Sequence, residues 1–263
     1  MRLHPGFIGV TFAAAAHPRQ TEAMDTRIQR PHGARAYSTR RRVRLSDMDA
    51  DGRVRLDAVA RFLQDAAIDD VEETGWGIPE HLWVIRKIRV DVVAPLLHDR
   101  GVEITTWCSG VAAIAAGRRW SVRGDAGGHV EVDSVWIHLD RDAQPARIDD
   151  FGVYAAAADG RRASTKLELP DPPEDAGRQM WPLRAADVDL HGHVNNAVYW
   201  QAVEELLPAL GVDPRLPLRA ELDYRQPIDL GEAIELALWD HHIAFLGGTA
   251  VRAVAAVASA PTD

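Results

Sequence analysis

The chain repeats itself, and that restricts its fold more than any other property. Asp47-Met48-Asp49-Ala50-Asp51-Gly52-Arg53-Val54 returns 140 residues later as Asp187-Val188-Asp189-Leu190-His191-Gly192-His193-Val194. A second pair of blocks, Val90–Pro95 and Val102–Trp107, returns as Leu222–Pro227 and Ile234–Trp239 at an offset of 132, so the second copy is eight residues shorter in between. The blocks keep their order, which is what a duplicated unit predicts. The 263 residues therefore divide into two similar units, each within the usual size of a domain.

Each unit follows one grammar. A strand leads in (Tyr37–Leu45; Met180–Leu183), an Asp/Gly loop follows, and a helical stretch comes next. From about Asp57 to Thr74 the apolar residues Val59, Phe62, Leu63, Ala66, Ala67 and Val71 recur at helical spacing until Gly75. In the second unit the helix is expected from about Asn195 to Leu210, carrying Tyr199, Trp200, Val203, Leu206, Leu207 and Leu210. Alternating strand patterns come after: Trp83–Val93, Gly101–Ser109, Ala116–Gly124 and His129–Leu139, then Leu218–Arg225, Ala233–Trp239 and weaker strands from His242 to Ala258. One apolar helix followed by a meander implies an antiparallel sheet curled round a buried helix. The expected class is α+β: residues 36–148 and 180–260 form two units joined by a linker over 149–179, pairing sheet to sheet as a pseudo-dimer within one chain.

Composition excludes several function classes. A net charge of −9 argues against nucleic acid, and no apolar run reaches the length of a membrane span. The lone Cys108 forms neither an intrachain disulfide nor a cysteine cage, which points to a cytoplasmic protein. Residues 1–35, with Arg2, the apolar run Phe7–Ala16 and a second methionine at Met24, read as a disordered extension or a mis-assigned start, with a weak likeness to a secretory signal.

The copies diverge where chemistry would lie. The first has Asp49, Asp51 and Arg53 in its loop; the second has Asp189, His191 and His193, followed by Asn195 and Asn196 in place of Arg55 and Leu56. A carboxylate, two imidazoles and two carboxamides thus gather at a helix start, whose free N–H groups and positive dipole end suit a developing oxyanion. Histidine titrates near neutrality and a neighbouring Asp can orient it. Plainer roles compete: Asp189 or Asn195 as helix caps, and His191 and His193 as half of a metal site lacking a clear third ligand. Glu204 and Glu205, where the first copy has Gln64 and Asp65, are further candidates, because a Glu facing into so apolar a helix interface needs a partner. Cys108 reads as a buried structural thiol, and neither Ser46 nor Ser121 has the context of a nucleophile.

Asp189-Leu190-His191-Gly192-His193-Val194-Asn195-Asn196-Ala197-Val198-Tyr199 resembles the signature loop of the acyl-ACP thioesterases, plant and bacterial, with its H-V-N-N-x-x-Y core, and the resemblance extends over about residues 37–258. It implies two tandem hot-dog domains, the first holding the acyl chain beneath its helix and the second catalytic. It places the family's catalytic Asp on Asp189 and its His on His193; the intervening Asn falls on His191, a departure. The Glu-Cys pair of plant members is replaced by Pro227 and Ile228. The implied reaction is hydrolysis of fatty acyl carrier protein to free fatty acid without a cofactor or metal. His193 activates water, Asp189 orients it or acts directly, Asn195 or His191 assists, and the backbone of Gly192 and Val194 holds the oxyanion. Expected partners are acyl carrier protein or CoA as the substrate's carrier, with room left for a homodimer. Arg40–Arg44 and Arg118-Arg119 are candidate landing sites for an acidic carrier. An acyl-CoA thioesterase and a non-catalytic acyl-thioester-binding protein are the alternatives.

Overall fold

Both units fold by the same steps in the computed structural model, which describes residues 29–76, 82–98 and 101–259; most of the expected N-terminal extension lies outside them. In the first unit, strand β1 (Tyr37–Arg41) leads through a single helical turn, Leu45–Asp47, to helix α1 (Leu56–Thr74). Strands β2 (Leu82–Ala94), β3 (Val102–Ala112), β4 (Ala115–Gly124) and β5 (His129–Leu139) follow. The connecting segment holds the short helix α2 (Ala155–Ala158). The second unit then repeats the series with β6 (Gly177–Trp181), a turn at Ala185–Asp187, α3 (Asn196–Leu206), β7 (Leu218–Tyr224), β8 (Ile234–Trp239), β9 (His242–Gly247) and β10 (Ala250–Ser259).

The strands form one antiparallel sheet in the order β1-β3-β4-β5-β2-β7-β10-β9-β8-β6. Read from its centre outward, each half is the other's counterpart, and the halves join where β2 pairs with β7, Lys87 opposite Asp223 through Val92 opposite Leu218. Helices α1 and α3 lie against each other on one face. Val59, Phe62 and Leu63 of α1 and Val198, Val203 and Leu206 of α3 enter the same buried cluster as Ile88, Val90, Ala220 and Leu222 of the joining strands. Two units that share a core in this way are one body, since each fully buried Val, Leu or Phe contributes about 1.5–3 kcal/mol only while both halves are present.

Differences from the sequence reading have local causes. Helix α3 stops at Leu206 and gives way to turns, because Pro208 has no N–H for the carbonyl of Glu204. Strand β1 ends at Arg41 rather than Leu45 because the helical turn begins there. The connecting segment is tied to the sheet: the carbonyl of Lys166 accepts from Lys87 Nζ (3.0 Å), and the N–H groups of Glu168 and Leu169 donate to the buried carboxylate of Asp223 (both 3.0 Å). Cys108 is buried near α2 with Trp107 and Tyr154, and burial pushes its thiol pKa up.

One buried carboxylate, paired with two arginines, should make the fold acid-sensitive. Asp57 lies buried in the first turn of α1; burial alone would raise its pKa, but hydrogen bonds from Arg55 (2.9 Å) and Arg61 (2.6 Å) and their charges outweigh it and hold the carboxyl below its ordinary value. A depressed carboxylate contributes stability that is present above the unfolded value, about 3.9, and is lost as pH falls through the folded one. Asp57→Asn should therefore lower the urea midpoint at pH 7, and its deficit against wild type should shrink at pH 3. An equal deficit at both pH values would contradict the ionic role.

Candidate active site

The two Asp/Gly loops have the same backbone. Asp49 N–H donates to Arg53 O (2.8 Å) and Asp189 N–H to His193 O (2.9 Å); Arg55 N–H and Asn195 N–H reach back to the carbonyls of Asp47 (3.0 Å) and Asp187 (2.8 Å). Gly52 (φ 80°) and Gly192 (φ 84°) occupy the left-handed position that closes each loop. On this shared frame the side chains do different things.

In the second unit, His193 Nδ1 lies 2.6 Å from Asp229 Oδ1, and the two residues also form an antiparallel bridge. Asp229 is steadied in turn, its N–H donating to Glu232 Oε1 (2.8 Å) while Glu232 Oε2 accepts from Arg252 Nη2 (2.7 Å). The imidazole is 47% exposed and the Asp229 side chain 63%, so the pair faces solvent at the mouth of the loop. Asp189 takes another part. Its Oδ1 accepts the N–H of His191 (2.9 Å), as Asp49 accepts that of Asp51 (3.0 Å), and its Oδ2 accepts from Asn195 Nδ2 (3.4 Å). The carboxylate against His193 is thus Asp229, which the sequence reading does not single out, while Asp189 braces the loop and the helix cap.

Asn195 is the N-cap of α3, its Oδ1 accepting the N–H of Ala197 (2.9 Å). The N–H groups expected to hold an oxyanion are engaged: Gly192 donates to Asp189 O (3.0 Å) and Val194 to Ile228 O (2.8 Å). The N–H of Asn196 takes no partner among the described residues, so it is the open donor at the helix start. Beneath it the buried Tyr224 hydroxyl donates to Asn196 O (3.0 Å), and Tyr224 packs edge-on to Tyr199 at 5.2 Å. His191 and Glu205 are exposed, and among the described residues His191 makes no side-chain hydrogen bond and no group of three ligands could hold a metal ion.

Glu204 belongs to the other loop. From α3 its carboxylate crosses to the first unit, pairs with Arg53 and accepts the N–H of Leu56 (2.9 Å), the first residue of α1. Arg53, which replaces His193, is also bound to Asp49 (Nε to Oδ2, 3.0 Å). The first unit's helix start is therefore filled by Arg53 and by a carboxylate from the second unit. At the second unit's, a cavity of about 20 Å³ runs from Asn196, Ala197, Trp200 and Tyr224 beneath α1 to Ile88 and Trp120 of the first unit. It has room for about one water.

The expected basic landing sites change. Arg119 is buried against Glu131 and Arg118 is bound to Asp70 (2.7 Å), so that pair is internal, because β4 turns both side chains toward acidic partners. Arg40 and Arg41 pair with Asp125 and Asp65, leaving Arg42 and Arg44 exposed. No helix among the described residues is long and apolar enough to cross a membrane.

Residues 34–151 match the family model of the acyl-ACP thioesterase N-terminal domain, and residues 171–246 match that of the C-terminal domain. An uncharacterised protein of Mycobacterium tuberculosis is 29% identical over 87% of this chain and 94% of its own length. The chloroplastic oleoyl-acyl carrier protein thioesterase 2 of Arabidopsis thaliana is 24% identical over 76% of this chain and 62% of its own. Among solved structures, a 12:0-ACP thioesterase from Umbellularia californica superposes with a TM-score of 0.67 at 19% identity, covering 86% of this chain and 98% of that one. An acyl-ACP thioesterase from Bacteroides thetaiotaomicron gives 0.67 at 17% identity, covering 84% and 96%. These likenesses support the tandem hot-dog fold.

Proposed function

Because the chain belongs to the acyl-ACP thioesterase family, we propose that it hydrolyses the thioester of fatty acyl carrier protein at the start of α3, releasing free fatty acid. The observation that carries this reading is the His193–Asp229 pair, set beside an open helix N-terminus in one unit only, while the other unit's equivalent is filled by Arg53 and Glu204. A carboxylate at Nδ1 can only accept, so it selects the tautomer with the proton there and leaves Nε2 basic. His193 then takes a proton from water as the water oxygen attacks the thioester carbon. The carbonyl electrons move to oxygen, where the N–H of Asn196 and the positive end of α3 stabilise them. As the C–S bond breaks, the imidazolium returns its proton to the leaving thiolate, so the products are a carboxylic acid and the carrier's thiol.

In this reading Asp189 acts through the loop. It fixes Asn195 and hence the entrance of α3, and His191 lines the approach. The acyl chain enters beneath α1, where the small apolar cavity marks the path. Side chains such as Leu63 and Trp136 must shift to admit it, since space for one water does not hold a fatty chain.

The test is thiol release from a panel of acyl-ACPs and acyl-CoAs of increasing chain length. Turnover of acyl-ACP with kcat/KM at least ~10-fold above the matching acyl-CoA supports the proposed carrier, a difference of about 1.4 kcal/mol. Preference for CoA would make the enzyme an acyl-CoA thioesterase. Binding of every thioester without turnover would make it an acyl-thioester-binding protein.

A further inference from the structure

The filled site of the first unit shows what the open site of the second is made of. Helices α1 and α3 pack together across the pseudo-twofold, and from position 204 of α3 a side chain reaches the first N–H of α1. The same relation takes position 64 of α1 to the start of α3, because residues 64 and 204 correspond at the 140-residue offset of the loops. The residue there is Gln64. It lines the cavity together with Asn196 and Ala197, and its carboxamide makes no hydrogen bond to any described residue.

The chemical difference between the two positions is one of donor against acceptor. Glu204 is a carboxylate and can only accept, so at α1 it consumes the N–H of Leu56 and, with Arg53, closes the site. A carboxamide carries two N–H donors. At α3 it leaves the N–H of Asn196 free and adds a donor from the opposite side of the cavity. A carboxylate in the same place would repel the negative charge that the reaction develops.

We propose that Gln64, supplied by the unit that lacks the catalytic loop, is a catalytic residue whose Nε2 donates to the thioester oxygen opposite the N–H of Asn196, completing a two-donor oxyanion hole. The inference rests on the hydrolase reading above and adds a residue that the loop signature does not contain. It also explains why the duplicated chain needs both halves: each helix start is served by a side chain from the other unit's helix.

The experiment measures kcat and KM for the best thioester of the panel with wild type, Gln64→Met, Gln64→Ala and Gln64→Glu, each checked for an intact cooperative melt. Gln64→Met keeps the side chain's length and removes both donors, so it stands in if the alanine variant does not fold. Loss of one oxyanion donor should lower kcat by about 10²-fold or more while KM moves less than ~3-fold. Gln64→Glu should be as slow at pH 8, and its kcat relative to wild type should rise as pH falls, because a protonated carboxyl regains an O–H donor. A purely structural role would leave that ratio flat. Methionine and alanine variants within ~3-fold of wild type, or a pH-independent ratio for Gln64→Glu, overturn the proposal. An inert wild type would instead overturn the hydrolase reading itself.

Discussion

Replacing His193 with alanine is expected to lower kcat by about 10²–10⁴-fold, the range supplied by a positioned general base. Thermal stability should change little, because the imidazole is half exposed and its one side-chain partner among the described residues is the exposed Asp229. Asp229→Asn should cost less, on the order of 10-fold. The amide can still meet Nδ1, but it no longer selects the tautomer or supports the imidazolium. The exposure of the pair limits that second effect: water screens an ion pair at the surface, and exposed pairs contribute at most about 1 kcal/mol. A substrate covering the loop mouth would remove that screening, so the Asp229 effect should appear in kcat rather than in the stability of the free protein. The check is steady-state kinetics of both variants on the best thioester, beside their melting curves. A His193→Ala enzyme retaining more than about a tenth of wild-type kcat would remove His193 as the base and return the role to Asp189.

Much of this arrangement can be read from the sequence because it is local. The two loops repeat residue by residue, and a helix start with two imidazoles stands out within one short window. The period of α1 and its stop at Gly75, φ 64°, are likewise written in neighbouring residues. What the local pattern leaves out depends on pairing across the fold. Asp229 lies 36 residues beyond His193 and meets it through a backbone bridge. Its signal is nevertheless present in the repeat. At the offset of 132 that relates the later strands, Asp229 falls on Leu97, and Leu97 bridges to Arg53 as Asp229 bridges to His193. The copy with the histidine therefore carries an acid where the other carries a leucine. Glu204 illustrates the opposite case. Its need for a partner follows from its place on an apolar helix, but its orientation toward the other unit depends on how α1 and α3 pack, which no single helix encodes. The engaged N–H of Val194 is hidden from a local reading for a similar reason, since its acceptor is Ile228 on another segment, whereas that of Gly192 turns back to Asp189 within the loop.

The ion pair that fills the first unit should be among the most sensitive points of the structure. The side chains of Arg53 and Glu204 are 5% and 11% exposed, so each neutralises a charge that water scarcely reaches. Removing one member leaves the other buried and uncompensated, which typically costs about 3–5 kcal/mol. For a chain of this size that corresponds to roughly 6–20 °C in Tm, taking about 2–4 °C per kcal/mol. Arg53→Ala should be the worse of the two, because it strands both Asp49 and Glu204, whereas Glu204→Ala leaves Arg53 its bond to Asp49 and orphans the N–H of Leu56. Replacing both, Arg53→Ala with Glu204→Ala, removes the buried charge of Glu204 along with its partner and leaves only Asp49 unpaired, so it should cost less than the sum of the single changes. Urea unfolding of the four proteins closes the cycle. Additive losses would mean that the two charges do not depend on each other. A large coupling energy, with thioesterase activity retained in the double variant, would show that this pair stabilises the closed unit and takes no part in the chemistry of the open one.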